Sequence, residues 1–292
     1  MEILEKAPAK LNFSLDTPFR HADGNHEWQM VMIAIDLADY VQVRTIPTSK
    51  QITVLTDSGF LPCDRRNLAY QAALKLQQDY QVDQGVEIII KKNIPVAAGM
   101  GGGSSDAAAV LRALNQAWNL KLSKAKLAQI GLEIDSDVPF CVYSEPALVT
   151  GKGELINPLG DFPSLWIIVA KPKASVSTPT ILKQIDYSNL AHLDVTGLVP
   201  ALKEQDYAQI TAKMGNVLEP ITSKKHPDIL RIKTKMLKFG ADAAQMSGSG
   251  PTVFGITQKY SRAQHIYNSL RGFCDEVYLV RPLSATSKKE GS

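Results

Sequence analysis

Cysteine is scarce in this sequence, with three residues in 292, at positions 63, 141 and 274. Odd in number, far apart and never in a CxxC pair, they argue against a disulfide framework and a zinc ribbon alike, and they suit a reducing cytoplasm. Long apolar runs are missing as well. The opening MEILEKAPAKLNFSLD alternates charged and apolar residues where a secretory signal needs a continuous apolar stretch, and no later run approaches membrane-spanning length. Neither export nor membrane insertion is expected. A strong charge of one sign is absent: 32 Lys and Arg face 29 Asp and Glu, leaving +3, too little for the broad basic footprint of a nucleic-acid binder. Any anion site must therefore be local. The five histidines, at 21, 26, 192, 226 and 265, have no metal-ligand spacing, and no GxSxG nucleophile elbow occurs. Hydrolase and metalloenzyme chemistries thus lose their usual residues.

What is present is apolar material enough for ordinary cores, 45% of residues, and length enough for two domains of roughly 100–200 residues each. VQVRTI at 41–46, QITVL at 51–55 and VEIIIKK at 86–92 carry the β-branched enrichment of strands. Between them, residues 67–80 read as a helix with Leu68, Ala72, Ala73 and Leu76 at helical spacing and Asn67 as its cap. Further helices are expected at about 105–118 and 124–132. From 144 to 164, Pro146, Gly151, Gly153, Pro158, Gly160 and Pro163 interrupt regular structure, so a domain junction is placed there, giving domains 1–160 and 161–285 and a polar tail 286–292. Past the junction, LWIIVAKP, TVFGIT and EVYLVR read as strands. HPDILRIKTKMLKFG reads as a helix opened by Pro227 and stopped by Gly240, and another helix lies around 260–270.

The segment NIPVAAGMGGGSSDAAAVLRALNQAWNL at 93–120 joins a strand through Gly99, Gly101, Gly102 and Gly103 to a helix, with Ser104 and Ser105 near its start. Glycines let a backbone approach a phosphate closely, and the free N–H groups and positive dipole end of a helix suit a polyphosphate. The loop lacks the Gly-Lys-Ser/Thr ending of a Walker motif and the last glycine of a dinucleotide fingerprint. A flexible turn before an ordinary helix is the plainer alternative.

PVAAGMGGGSSDAA resembles the phosphate loop of the GHMP kinases, the superfamily of galacto-, homoserine, mevalonate and phosphomevalonate kinases. APAKLNFSLD, ADGNHEWQMVMIAIDLAD, RNLAYQAA, SDVPF and MSGSGPTVFG extend the resemblance over nearly the whole chain, in the family's order. It implies an α+β, two-domain GHMP kinase fold: an N-terminal ATP-binding α/β domain with a left-handed crossover and a C-terminal ferredoxin-like α/β domain, with an active cleft between the halves. ATP is the implied nucleotide, held by Pro95, Val96, Ala97, Ala98, Gly99, Met100, Gly101, Gly102, Gly103, Ser104 and Ser105, with Asn67. Magnesium would accompany it, with Ser105 as the candidate hydroxyl ligand.

Phosphoryl transfer asks for positioning and positive electrostatics more than covalent chemistry, so a lysine and a carboxylate suffice. Lys10, in PAKLNF, and Asp137, in SDVPF, fall on the family's active-site positions; in isolation each would read as a solvated surface charge. Asn12 lies one strand period after Lys10 and shares its face. By resemblance, Asn12, Asn25, His26, Thr178, Gly248, Ser249 and Gly250 hold the acceptor. In the branch these motifs match best, that acceptor is a methylerythritol joined through a diphosphate to cytidine, on a route to isoprenoid precursors. Two aromatic rings usually sandwich the cytosine there, whereas this chain has Asn25 at the first position and Leu182 where the second is expected. Weak use of the cytidine compound, or a related acceptor without cytosine, is therefore expected. A kinase for another small alcohol and a non-catalytic nucleotide or sugar sensor are the alternatives. The partners implied are ATP and a small alcohol, in a monomer or homodimer.

Overall fold

The computed structural model describes residues 1–59 and 61–283, so the expected tail 286–292 lies outside the described residues. Two long strands, β1 (Glu2–Asp16) and β2 (Trp28–Ile46), organise the chain. Only the last part of β2 carries an alternating pattern. Met30–Ile35 is buried on both faces, and a run buried on both faces shows no period of two in sequence. The strand reading at Lys10 and Asn12 covers only part of β1, and the first half of β2 is not among the expected strands.

Two compact units result, and they are not consecutive halves: one comprises Met1–Lys10, Leu37–Val96 and Gly101–Ser144, the other Leu11–Asp36, Ala97–Met100 and Glu145 onward. The single cut near 160 expected from the Gly/Pro stretch differs from this division because β1 and β2 each run through both units. In the first unit, β3 (Ile52–Thr56) is followed by α1 (Leu68–Asp79) and β4 (Gly85–Lys91). β4 pairs parallel with β3 and antiparallel with Tyr40–Ile46 of β2. Helix α2 (Gly102–Ala117) packs on α1, and α3 (Lys124–Leu132) and α4 (Val138–Tyr143) complete the unit. Small residues, Ala69, Ala72 and Ala73 on α1 and Ala107–Ala109 on α2, are fully buried and let these helices approach closely.

In the second unit, β5 (Ala147–Gly151) and β6 (Leu155–Pro158) form a hairpin on Trp28–Met32 of β2, with Gly151 and Gly153 at positive φ in its turn. The interrupted stretch 144–164 thus holds strands as well as turns. Then come β7 (Trp166–Lys171), α5 (Thr178–Leu182), α6 (Leu198–Lys203), α7 (Tyr207–Lys213), the two-residue β8 (Gly215–Asn216), α8 (Glu219–Lys225), α9 (Asp228–Lys238), β9 (Ala243–Met246), β10 (Val253–Thr257), α10 (Tyr260–Arg271) and β11 (Glu276–Val280). Strands β11-β7-β10-β9 make an antiparallel sheet carrying α9 and α10, the ferredoxin-like arrangement expected. Ile229, Ile232 and Met236 form the buried stripe of α9, and Gly240, at φ 101, ends it.

A buried ion triad fastens α2 to the end of β4. The Lys92 ammonium, on a side chain 8% exposed, pairs with Asp39 and lies 2.8 Å from Asp106 Oδ2. Asp39 Oδ1 also accepts the amides of Asn93 and Ile94 at 2.6 and 2.8 Å, while Asp106 Oδ1 has no hydrogen-bond partner. Burial works against the Lys92 charge, but the two carboxylates outweigh it and raise its pKa. Burial pushes the Asp106 carboxyl up to about 7, with Lys92 opposing and Asp39 reinforcing. Removing the one cation should therefore leave uncompensated buried charge: Lys92→Met is expected to cost about 3–5 kcal/mol in urea denaturation. The double variant Lys92→Met/Asp106→Asn should recover part of that loss.

Candidate active site

Helix α2 starts at Gly102, three residues earlier than expected, because Gly101 takes the left-handed conformation at φ 64 and turns the chain into the helix directly. The first intrahelical bond runs from the Ser105 amide to the Gly101 carbonyl at 2.8 Å, so the amides of Gly102, Gly103 and Ser104 have no acceptor within the helix. No side chain caps this end. The two serines that could do so are engaged elsewhere. Ser104 Oγ donates to Asp135 Oδ1 at 2.7 Å, and Ser105 Oγ donates to the Pro8 carbonyl at 2.7 Å.

Ser105 is fully buried, and its hydroxyl pins α2 to β1 two residues before Lys10. Asn67 likewise acts structurally. Its Oδ1 caps α1 by accepting from Ala69 at 2.9 Å and its Nδ2 donates to the Pro62 carbonyl at 2.9 Å. Of the remaining loop residues, Pro95, Ala98 and Met100 are buried and Val96, Ala97 and Gly103 exposed.

The lysine and aspartate expected to do chemistry meet in the first unit. Lys10 Nζ lies 3.2 Å from Asp137 Oδ2, with the lysine side chain 5% and the aspartate 28% exposed. Gly101 lies against both: a Cβ there would stand 2.9 Å from Lys10 Cγ and 3.7 Å from Asp137 Oδ2. The bare helix end and the ion pair therefore form one site. Asp135 belongs to it and was overlooked; its signal was a second acidic residue two places before Asp137. Its Oδ1 accepts the Asp137 amide at 3.0 Å as well as the Ser104 hydroxyl. Burial, and then the neighbouring Asp137 charge, raise the Asp135 pKa.

In the second unit, the other half of the glycine loop meets MSGSG. Gly99, at φ 72, presses backbone on backbone: a Cβ would lie 2.6 Å from the Ser247 carbonyl oxygen and 3.0 Å from that of Gly250. Asn216 Nδ2 donates to the carbonyls of Met246 and Gly248, both at 2.8 Å. Ser249 is held by Thr222 through its carbonyl at 3.1 Å and by Thr178 through its hydroxyl at 2.6 Å. Thr178, Gly248, Ser249 and Gly250 are thus gathered as expected, and Asn216 and Thr222 are additions. Asn12 is fully buried, with its Nδ2 3.3 Å from the sulfur of Met30.

His26 stands in a cluster of its own. Its Nδ1 is 2.6 Å from the Tyr187 hydroxyl, which lies 3.0 Å from Thr17 Oγ1. The His26 and Tyr187 rings stack at 6.2 Å, and Trp28 lies 5.5 Å away on the other strand position sharing that face. Burial lowers the His26 pKa, so the ring is neutral at pH 7. Asn25 is exposed in the preceding turn, and Leu182 ends α5. Tyr187, five residues past Leu182, is the aromatic residue that the fold brings beside His26.

The uncapped glycine-rich helix start lies beside a lysine–carboxylate pair, an arrangement that suits phosphoryl transfer. Residues 67–145 match the GHMP kinases N-terminal domain and residues 198–276 the GHMP kinases C-terminal domain; the chain belongs to the GHMP kinase family and is an ATP-dependent small-molecule kinase. Two relatives from Ligilactobacillus salivarius and Levilactobacillus brevis are 68% and 61% identical, over 99% and 97% of this chain and all of theirs. Both are named 4-diphosphocytidyl-2-C-methyl-D-erythritol kinase. A crystal structure of 4-(cytidine 5'-diphospho)-2C-methyl-D-erythritol kinase superimposes with TM-score 0.79 at 29% identity, covering 96% of this chain and 99% of that one. The fold alone is shared with homoserine kinase from Cytophaga hutchinsonii, at TM-score 0.80 and 24% identity over 97% of this chain and 96% of that one. Among the described residues no helix is long and apolar enough to cross a membrane.

The close approach at Gly101 sets the expected outcome of substitution there. Gly101→Val should abolish measurable ATP binding in a calorimetric titration while the protein still melts cooperatively. Gly103→Ala, whose Cβ would meet only Leu68 at 3.5 Å, should bind ATP within a few-fold of wild type, about the scale of 1 kcal/mol.

Proposed function

We propose that this chain transfers the γ-phosphoryl group of ATP to a hydroxyl of 4-diphosphocytidyl-2-C-methyl-D-erythritol, in non-mevalonate isoprenoid precursor synthesis. The observation that carries the chemistry is the Lys10–Asp137 pair lying against Gly101 at the bare start of α2. The free amides of Gly102, Gly103 and Ser104 receive nucleotide phosphate. The acceptor oxygen attacks the γ-phosphorus, the bond from that phosphorus to the bridging oxygen of ADP breaks, and the hydroxyl proton passes to Asp137. Lys10 offsets charge on the moving phosphoryl group and, 3.2 Å away, holds the Asp137 carboxylate in position.

Magnesium suits the donor set in one way only. Among the described residues no group of three or more His, Cys, Asp or Glu side chains is arranged to hold a metal ion, so the ion would arrive on the nucleotide, as magnesium bound mainly by phosphates and water does. Asp135, kept in place by Ser104, is the carboxylate that would reach it. The ion supplies neutralisation of phosphate charge during transfer.

For the acceptor, the second glycine loop with Thr178 offers backbone and hydroxyl donors to its diphosphate, and Asn12 and His26 offer polar contacts. Tyr187 supports the cytidine reading, since its ring is fixed by two hydrogen bonds and stacks beside His26. An acceptor without a base would leave that ring unused. A sensor without catalysis is disfavoured by the intact lysine–carboxylate pair. The working cell compartment on this reading is the cytoplasm.

Two outcomes test these roles. Asp137→Asn and Lys10→Ala should each lower turnover by about 10²-fold or more with ATP affinity nearly kept; native turnover in the doubly substituted enzyme would remove both from the chemistry. Tyr187→Ala should raise KM for the cytidine acceptor by about tenfold to a hundredfold, the worth of one base stack, with KM for ATP unchanged. Equal KM values in variant and wild type would place the cytosine elsewhere.

A further inference from the structure

One hydroxyl ties together three segments of the second unit that are far apart in sequence. Ser247 is fully buried. Its Oγ donates to the Gly99 carbonyl at 3.1 Å and accepts the Asn12 amide at 3.3 Å. Its own backbone is fixed on both sides, because its amide donates to the Thr252 carbonyl at 2.9 Å and its carbonyl accepts from the Gly250 amide at 2.9 Å. The loop it belongs to is held as a rigid piece by Asn216 and Thr222. The contact it makes with the glycine loop leaves no slack, since even a methyl group at Gly99 would overlap the Ser247 carbonyl. Gly99 is two residues from Gly101, and Asn12 two residues from Lys10. A displacement of MSGSG therefore reaches the nucleotide loop through Gly99 and the catalytic strand through Asn12.

We propose that Ser247 is a positioning residue that couples acceptor binding to ATP binding: an acceptor phosphate seated on MSGSG draws Gly99 into the conformation that ATP prefers, and ATP in turn favours the acceptor. The proposal rests on the reading of the two loops as nucleotide and acceptor sites. Coupling of this kind is reciprocal by thermodynamic necessity, and a two-state contact with no slack is the physical element it requires. Asn12, Asn216 and Thr222 orient the loop, and the Ser247 side chain touches both the nucleotide loop and β1.

The test is a pair of calorimetric titrations on the full chain. A non-hydrolysable ATP analogue with magnesium is titrated with and without saturating 4-diphosphocytidyl-2-C-methyl-D-erythritol, and the acceptor with and without saturating analogue. Wild type should show the same tightening in both directions, about 5-fold to 150-fold. Ser247→Ala should bring both ratios close to 1 while each ligand alone still binds. Because alanine removes both hydroxyl contacts, Ser247→Cys is the second variant, whose weakly donating thiol should give an intermediate ratio in a chain that folds. Wild-type ratios in either folded variant, or a ratio of 1 in the wild-type protein, would overturn the coupling and leave the kinase assignment standing. A wild-type protein that binds neither ligand would overturn the assignment itself, and the coupling with it.

Discussion

The structure turns on a helix whose first amides no side chain of its own satisfies. Such an end needs a partner, and two nearby serines are of the type that usually provides one. Both are diverted, Ser104 to Asp135 and Ser105 to the carbonyl of Pro8. Each diversion has a second effect. Ser104 holds the carboxylate that in turn holds the Asp137 amide, and Ser105 fastens the helix to the strand that carries Lys10. The same two hydroxyls that leave the anion site open therefore also set the positions of the two charged groups beside it.

Keeping a helix start attractive to phosphate is harder when a carboxylate sits in its second turn, as Asp106 does. Lys92 answers that by placing its ammonium beneath the start of the helix, where even a Cβ on Gly102 would come within 3.3 Å of it. Asp39 completes the triad and binds the amides leading into the loop. The arrangement leaves one oxygen of Asp106 unpaired, and a buried polar atom in that state usually costs stability. Here that atom belongs to the same helix whose first amides are left open.

Much of this was legible in the residues. Four glycines between a strand and a serine-rich helix start, with Lys10 and Asp137 in recognisable surroundings, pointed to the correct chemistry because short motifs carry their own geometry. What stayed hidden depended on distance along the chain. Asp135 was invisible beside its more recognisable neighbour, and the roles of Ser105 and Asn67 turned on which backbone carbonyl or amide each would meet. Tyr187 was not singled out because its place beside His26, 161 positions earlier in the chain, depends on tertiary folding. The first part of β2 escaped because burial on both faces erases alternation, and of β1 only the stretch around Lys10 and Asn12 read as a strand. Ser247 looked like one more loop serine until its partners Asn12 and Gly99 were seen.

The interleaving of the two units bears on how the chain is made. Every segment of the first unit lies before residue 145, so that unit can close while the ribosome is still translating the rest. The second unit cannot. Its residues 11–36 and 97–100 emerge early and must wait for the segment beginning at Glu145. Among them is the apolar run Met30–Ile35, which in the finished protein is entirely buried. During that interval the nascent chain presents an unpaired strand edge, the kind of surface that holding chaperones cover and that aggregates when synthesis outpaces them. For the same reason a cut near residue 160 would not give two pieces that each hold a complete unit.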